Sequence, residues 1–202
     1  MTASTPTRLY HLPQSRSARI LWTLEEIGEP YDVTVLARED RSTPAHLARH
    51  PLGRVPVIED AGGSLFESAA IVLALADRHP DAGLGFPLGS RERELVYQWV
   101  LFGMLEIEVP TGAAYEAGED DPQRAAAAKA RVLAAAAVVE EALRGHDFIV
   151  GDRLSAADIV LGSVLTFADR VVAFEGLPEV ARYLEALAAR PARLAADAPG
   201  GA

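Results

Sequence analysis

Apolar residues in the first third of the chain recur with two different periods, which predicts a mixture of short strands and helices. The runs TRLYHL (7–12) and YDVTVL (31–36) have the length and the β-branched or aromatic content of strands. Between them, Ile20, Leu24 and Ile27 recur at helical spacing. The pattern therefore predicts a strand, a helix and a second strand, in that order.

Capping and turn residues mark the boundaries of these elements. Ser15 is the expected N-cap of the first helix, and Gly28 is its expected stop. The sequence DAGG (60–63) lies between two apolar runs and predicts the turn of a β-hairpin. Ser68 then begins another helix, which ends near His79. A small mixed sheet with helices is thus complete by about residue 79.

Helical patterns dominate the rest of the chain. The Pro/Gly-rich segment PDAGLGFPLGS (80–90) follows the first part, and the only strand-like run after it is 148–150. We predict a break at Pro110 and Gly112 within the first of the later helices. The predicted helices cover residues 90–117, 122–144, 155–171 and 177–190. The fold class is α/β followed by all-α, with domains 1–80 and 90–202 joined by the linker 81–89.

Composition and charge narrow the possible partners. Half of the 202 residues are apolar, which supports a folded core, and the formal net charge of −10 disfavours nucleic acid or an anionic membrane surface as a partner. There is no cysteine, so a disulfide or a nucleophilic thiol of the protein itself is excluded. The five histidines lack metal-ligand spacing, so we predict no metal site. The start of the chain has no signal-peptide core and no apolar run reaches the length of a membrane span, so a cytoplasmic location is expected.

Two short motifs interrupt otherwise regular elements. HPLGRVPVIED (50–60) puts Pro56 between two valines, although a strand accepts proline only at its first residue, at an edge or at a bulge. Glu67 and Ser68 lie where a predicted hairpin strand leads into a helix. The free amides and positive potential of a helix N-terminus suit a carboxylate ligand. Both motifs have plainer interpretations, a turn proline and a helix cap.

Three segments in order, SRSARILWTLEEIGEPY (15–31), HPLGRVPVIED (50–60) and LFESAAIV (65–72), resemble the glutathione S-transferase family. The similarity covers nearly the whole chain. It implies a thioredoxin-like N-terminal domain that binds glutathione and a C-terminal helical bundle domain. It also implies a homodimer, and glutathione as a co-substrate with no other cofactor.

The resemblance assigns roles to the residues that would bind glutathione. It implies a cis peptide bond before Pro56, with the Val55 backbone pairing with the glutathione peptide. Ser68 would hold the γ-glutamyl carboxylate, and Glu67 would pair with the ammonium group. Arg54 and His50 are candidates for the glycine carboxylate, although His50 could equally make structural hydrogen bonds in its loop.

The group that stabilises the thiolate should lie between the first strand and its helix. The loop HLPQSRSAR (11–19) resembles a bacterial and fungal subgroup with an S-R-S sequence, which implies Ser15 as the hydroxyl donor and Ser17 as the second choice. His11 and Gln14 are alternative thiolate contacts. Tyr10 is similar to the tyrosine of other classes only loosely.

The later helices are expected to hold the electrophile and to stabilise the fold. The resemblance implies an electrophile pocket on the first long helix, and core packing or a dimer interface is the alternative for each of its members. The candidates are Trp99, Phe102, Met104 and Tyr115. Ser155 and Asp158 have the spacing of a capping box, which we interpret as structural.

The function implied is conjugation of glutathione to small apolar electrophiles. Two alternatives stay open at this point: a glutathione-dependent peroxidase, and a non-catalytic binding or interaction module of the same fold. The isomerase branch of the family typically carries a serine-cysteine loop, which this chain lacks.

Overall fold

A four-stranded mixed sheet organises the first part of the computed structural model, which describes residues 6–198. The strands lie in the order β2-β1-β3-β4; β1 is parallel to β2 and antiparallel to β3, and β3 and β4 form the predicted hairpin. Their bounds are β1 Thr7–His11, β2 Tyr31–Val35, β3 Val57–Asp60 and β4 Gly63–Phe66. Parallel strands need a crossover connection, and the helix between β1 and β2 supplies it.

The helices that connect or directly follow the strands are α1 Ala18–Ile27, α2 Pro44–Arg49 and α3 Ser68–Arg78. Leu9 and Ile58 face each other across the centre of the sheet, and both are fully buried. Gly28 ends α1 with a φ of 76°, and its amide donates to the Leu24 carbonyl. The left-handed conformation is one that glycine adopts without steric cost, so the predicted stop is confirmed.

The start of α1 differs from the prediction. The helix begins at Ala18 with Ser17 as its N-cap residue, two positions after the expected cap at Ser15. The Ser15 carbonyl accepts from the Ala18 amide in the turn before the helix. Residues 15–18 thus form a turn where the sequence pattern predicted the first turn of the helix. Ser15 therefore belongs to the loop between β1 and α1.

Helices make up the second part of the chain. They are α4 Arg91–Phe102, α5 Val109–Ala117, α6 Pro122–Ala142, α7 Ala156–Val172 and α8 Pro178–Ala188. The predicted break at Pro110 and Gly112 is absent within these described residues, since a π-helical segment, Gly103–Glu108, joins α4 to α5. Proline has no N–H to donate, and the altered register of a π turn just before it lets the helix continue.

The strand-like run at 148–150 is not a strand. The residues form bends, and the Ile149 amide donates to the Asp158 carboxylate at 2.8 Å. The bond to a side chain takes up the amide that a strand partner would have used.

Two compact units divide the chain differently from the predicted domains. Among the described residues, the first comprises residues 6–82 and 190–198, and the second comprises residues 83–189. Most of the predicted linker packs within the second unit, where the Leu84 carbonyl accepts from the Ala156 amide. The last helix, α9 Pro191–Asp197, belongs to the first unit instead of the helical one. Residues 199–202 lie outside the described residues.

Contacts with α1 explain why α9 belongs to the first unit. Arg190 donates to both carboxylate oxygens of Glu26, at 2.6 and 2.9 Å. The guanidinium of Arg193 lies 5.2 Å from the ring centroid of Trp22. Sequence spacing alone does not predict such contacts.

Within residues 6–198, no helix combines the length and the apolarity that a bilayer crossing requires.

Candidate functional site

A small open cleft in the first unit collects most of the predicted binding residues. Its lining residues are Arg16, His50, Arg54, Val55, Pro56, Glu67 and Ser68. They come from the β1–α1 loop, the segment before β3 and the start of α3. Arg16 is not among the residues predicted from sequence, although its position inside the S-R-S sequence is a signal for it. The cleft therefore combines two guanidinium groups with one carboxylate.

The segment before β3 offers backbone groups to the cleft. The Val55–Pro56 peptide bond is cis, as the resemblance implied. The β1–β3 ladder ends at the Tyr10–Val57 pair, and β3 itself begins at Val57. The amide and carbonyl of Val55 consequently lie beyond the ladder, where they are positioned to pair with an extended peptide.

A buried histidine holds the preceding residue. His46 is 2% exposed, and its Nε2 lies 2.9 Å from the carbonyl oxygen of Arg54. A carbonyl oxygen only accepts, so His46 carries its proton on Nε2 and donates it. His46 therefore fixes the backbone at the cleft wall, a role that was not predicted from the sequence.

Glu67 and Ser68 meet at the start of α3. Glu67 has a φ of 73°, is exposed and occupies the N-cap position, while Ser68 is the first helical residue and is 2% exposed. Ser68 is thus not the helix cap of the plainer interpretation. The guanidinium Nη1 of Arg19 donates to the Ser68 hydroxyl oxygen at 3.2 Å. Arg19 lies on α1, is 5% exposed and was also missed.

The loop between β1 and α1 separates the two candidate serines by burial. Ser17 is fully buried; its hydroxyl oxygen lies 2.8 Å from His11 Nδ1 and accepts from the Leu12 amide at 3.2 Å. Ser15 is half-buried, and its hydroxyl lies 2.7 Å from both the Leu12 carbonyl and the Ser17 hydroxyl. Ser15 is therefore the more accessible of the two serines; neither is among the residues that line the cleft, although Arg16 between them is.

The other residues considered as thiolate contacts are His11, Tyr10 and Gln14. Burial lowers the pKa of His11, so its ring is neutral at pH 7 and adds no positive charge. The Tyr10 hydroxyl donates to Glu59 at 2.7 Å, and burial together with this carboxylate raises its pKa. Gln14 is exposed and has a φ of 57°.

His50 makes structural contacts in its loop and also lines the cleft. Its Nδ1 accepts from the Leu52 amide at 3.2 Å, and its ring packs against Phe66 with centroids 4.7 Å apart. Burial lowers its pKa in spite of the opposing effect of Glu67. Since Nδ1 accepts from the Leu52 amide, the neutral ring carries its proton on Nε2, and His50 is among the residues that line the cleft.

The predicted electrophile-pocket residues all lie in the second unit. Trp99 and Phe102 form an edge-to-face pair with ring centroids 5.4 Å apart, and Met104 lies half-buried in the π-helical segment. Tyr115 is 70% exposed, and its ring centroid is 6.3 Å from that of Phe167. The pocket itself stays a prediction.

Across residues 6–198, no group of three or more His, Asp or Glu side chains is placed to hold a metal ion.

Comparison with protein-family models matches both parts of the chain. Residues 5–77 match the model described as "Glutathione S-transferase, N-terminal domain", and residues 93–191 match "Glutathione S-transferase, C-terminal domain". The cleft residues fall within the first match, and the predicted pocket residues within the second.

Individual relatives give the same result. The chain is 32% identical over 190 residues to glutathione S-transferase 4 of Zea mays, covering 87% of this chain and 84% of that protein. It is 29% identical over 190 residues to glutathione S-transferase GstA of Escherichia coli O157:H7, covering 91% and 94%. Among solved structures, it is similar to a glutathione transferase family member from Pseudomonas fluorescens pf-5 with two glutathione bound, with a TM-score of 0.85, 28% identity and coverage of 95% and 92%.

Proposed function

Because this chain belongs to the glutathione S-transferase family, we propose that it binds glutathione in the cleft of its first unit and conjugates the thiol to small apolar electrophiles. The charge pattern of the cleft is the observation that carries this proposal. Glutathione has one ammonium group and two carboxylates, and the cleft offers Glu67 together with Arg16 and Arg54. The tripeptide and the cleft are thus complementary in charge and in number of charges.

The backbone and the helix start complete the binding mode. Val55 pairs with the cysteinyl peptide group, as an added strand would. Ser68, at the N-terminus of α3, donates to the γ-glutamyl carboxylate, whose ammonium group pairs with Glu67. Arg54 and His50 serve the glycine carboxylate.

Thiolate formation is the chemical task of the enzyme. A free thiol has a pKa near 8.5, so only a small fraction is nucleophilic at neutral pH, and lowering the pKa by two units requires about 2.7 kcal/mol. In the proposed mechanism, the thiol loses its proton to solvent, and the Ser15 hydroxyl turns from the Leu12 carbonyl toward the resulting thiolate and donates to it. The sulfur then forms a bond to the electrophilic carbon, and the leaving group departs with the electron pair of the broken bond.

The electrophile binds to the helical part of the chain. Trp99, Phe102, Met104 and Tyr115 contribute apolar surface to the electrophile pocket. Glutathione is consumed as a co-substrate, and this chemistry needs no other cofactor. We place the protein in the cytoplasm, as a homodimer that acts in detoxification.

We expect the Ser68→Ala variant to bind glutathione about tenfold more weakly than the wild type, since a hydrogen bond to a charged group contributes about 1.5 kcal/mol. The turnover number should change less than twofold, because Ser68 lies at the γ-glutamyl end of the ligand. Isothermal titration calorimetry with glutathione and a conjugation assay with an aryl halide measure the two quantities. Ser64→Ala is the matched control, as Ser64 is an exposed serine on β4 of the same unit.

The wild type itself tests the proposal most directly. No heat of binding at millimolar glutathione would contradict it. Binding without turnover across aryl halides, epoxides and organic peroxides would favour the non-catalytic module instead. Turnover of peroxides alone would favour the peroxidase.

A further inference from the structure

A buried arginine contacts the glutathione cleft from the protein side. Arg19 is 5% exposed on α1, and its Nη1 donates to the Ser68 hydroxyl oxygen at 3.2 Å. Ser68 is itself 2% exposed and lines the cleft. The contact joins residues 49 positions apart, on two different helices. It places a cation behind the serine that the proposed function assigns to the γ-glutamyl carboxylate.

The geometry limits what the serine hydroxyl can do. A hydroxyl has one proton to donate and two lone pairs that accept. Since the Ser68 oxygen accepts from the Arg19 guanidinium, the Ser68 proton is directed away from Arg19. Because Ser68 is also one of the residues that line the cleft, this proton can be donated to an anion bound there. A guanidinium stays protonated at every physiological pH, so this orientation does not depend on pH.

The hydrogen bond between Arg19 and Ser68 also connects the N-terminal ends of two helices. Arg19 is the second residue of α1 and follows the loop that carries Ser15. Ser68 is the first residue of α3. The hydrogen bond therefore fixes the start of one helix against the start of the other.

We propose that Arg19 is a positioning residue for glutathione, which directs the Ser68 hydroxyl and a favourable electrostatic potential toward the γ-glutamyl carboxylate. This inference rests on the proposed function. It differs from a purely structural role, in which Arg19 only holds α1 against α3 and its loss weakens every ligand equally.

The test compares two thiols that differ by one carboxylate. The first is glutathione, and the second is its analogue 4-aminobutanoyl-Cys-Gly, which lacks the γ-glutamyl α-carboxylate. We expect Arg19→Met to raise the Kd of glutathione about tenfold and to change the Kd of the analogue less than twofold. In the Ser68→Ala background, Arg19→Met should add little further loss for glutathione, because the two residues act through one contact. Isothermal titration calorimetry gives all of these constants.

Controls separate folding from positioning. Arg78→Met is the matched control, since Arg78 lies on α3 and pairs with Asp60 at the surface. Arg19→Lys keeps the charge but not the planar fork, so it should lose less affinity than Arg19→Met, and it replaces that variant in the comparison if thermal unfolding shows that Arg19→Met does not fold.

Each outcome decides between the two roles. Equal losses for both thiols, or losses that simply add to those of Ser68→Ala, overturn the inference while leaving the proposed function intact. A wild type that binds neither thiol overturns both. A loss confined to glutathione and absent in the Ser68→Ala background supports the positioning role.

Discussion

Replacing Ser15 with alanine should return the pKa of bound glutathione toward the free-thiol value and lower kcat/KM at pH 6.5 by about a hundredfold. The reason is the burial pattern of the loop: Ser15 is half-buried, whereas Ser17 is fully buried and already engaged with His11 and Leu12. A depressed thiol pKa means that the wild-type rate already reaches its plateau near neutral pH. In Ser15→Ala the rise should move up to about pH 8.5, since the thiolate then forms only there. Ultraviolet difference titration of the thiolate measures the pKa directly.

Ser15→Thr is the informative companion variant, because it keeps the hydroxyl and should keep most of the pKa shift. A thiol pKa that stays depressed in Ser15→Ala would contradict the assignment and move the donor to Ser17, His11 or Gln14. Because burial lowers the pKa of His11 and its ring is neutral at pH 7, the wild-type profile should show no histidine ionisation at pH 7 and above. A second inflection, lost in His11→Gln, would show that the histidine takes part.

Local signals in the sequence predict the strands and most of the helices well. Alternation around the DAGG turn and the helical spacing after Ser68 each correspond to an observed element, β3–β4 and α3. Gly28 ends α1 as expected, since glycine alone adopts its left-handed conformation at no cost. The motifs before β3 and α3 meet in one cleft because the antiparallel pairing of β3 with β4 places Val57 opposite Phe66, next to the start of α3.

Long-range contacts explain what the sequence could not predict. His46 reads as an ordinary residue of a short helix, and only the fold brings its ring to the Arg54 carbonyl. Arg19 looks like a solvated charge on an amphipathic helix, yet it is buried against a residue 49 positions away. The return of α9 to the first unit likewise depends on Arg190 meeting Glu26. No local pattern encodes such pairings.

The second large effect is expected from Asp158, whose replacement by alanine should lower the free energy of unfolding by about 3–5 kcal/mol. The carboxylate is fully buried, and its Oδ2 accepts from both the amide and the hydroxyl of Ser155 at 2.8 Å. Its Oδ1 accepts from the Ile149 amide at 2.8 Å and the Tyr183 hydroxyl at 2.9 Å. Burial raises the pKa of Asp158, and these donors oppose that shift by favouring the carboxylate.

Alanine would leave these donors without an acceptor in a site that water does not reach, which is why the loss should exceed that of an ordinary helix cap at about 1 kcal/mol. Tyr183 is also fully buried, and burial together with Asp158 holds its pKa well above the usual value, so the phenol stays a donor that needs an acceptor. Asp158→Asn keeps one oxygen and should lose less than alanine. Denaturant titration measures these differences, with exposed Asp152→Ala as the control that changes stability by less than about 0.5 kcal/mol.

Affinity distinguishes this structural role from a catalytic one. Asp158 belongs to the second unit, and every residue that lines the cleft belongs to the first. We therefore expect the folded fraction of Asp158→Asn to bind glutathione with an unchanged Kd and an unchanged thiol pKa, while its unfolding midpoint falls. A variant of wild-type stability whose thiol pKa has risen would contradict this and would make Asp158 part of the chemistry. We expect a loss of stability with normal binding, because the hydrogen bonds of this carboxylate connect Ser155, Ile149 and Tyr183 within the fold and none of them reaches the cleft.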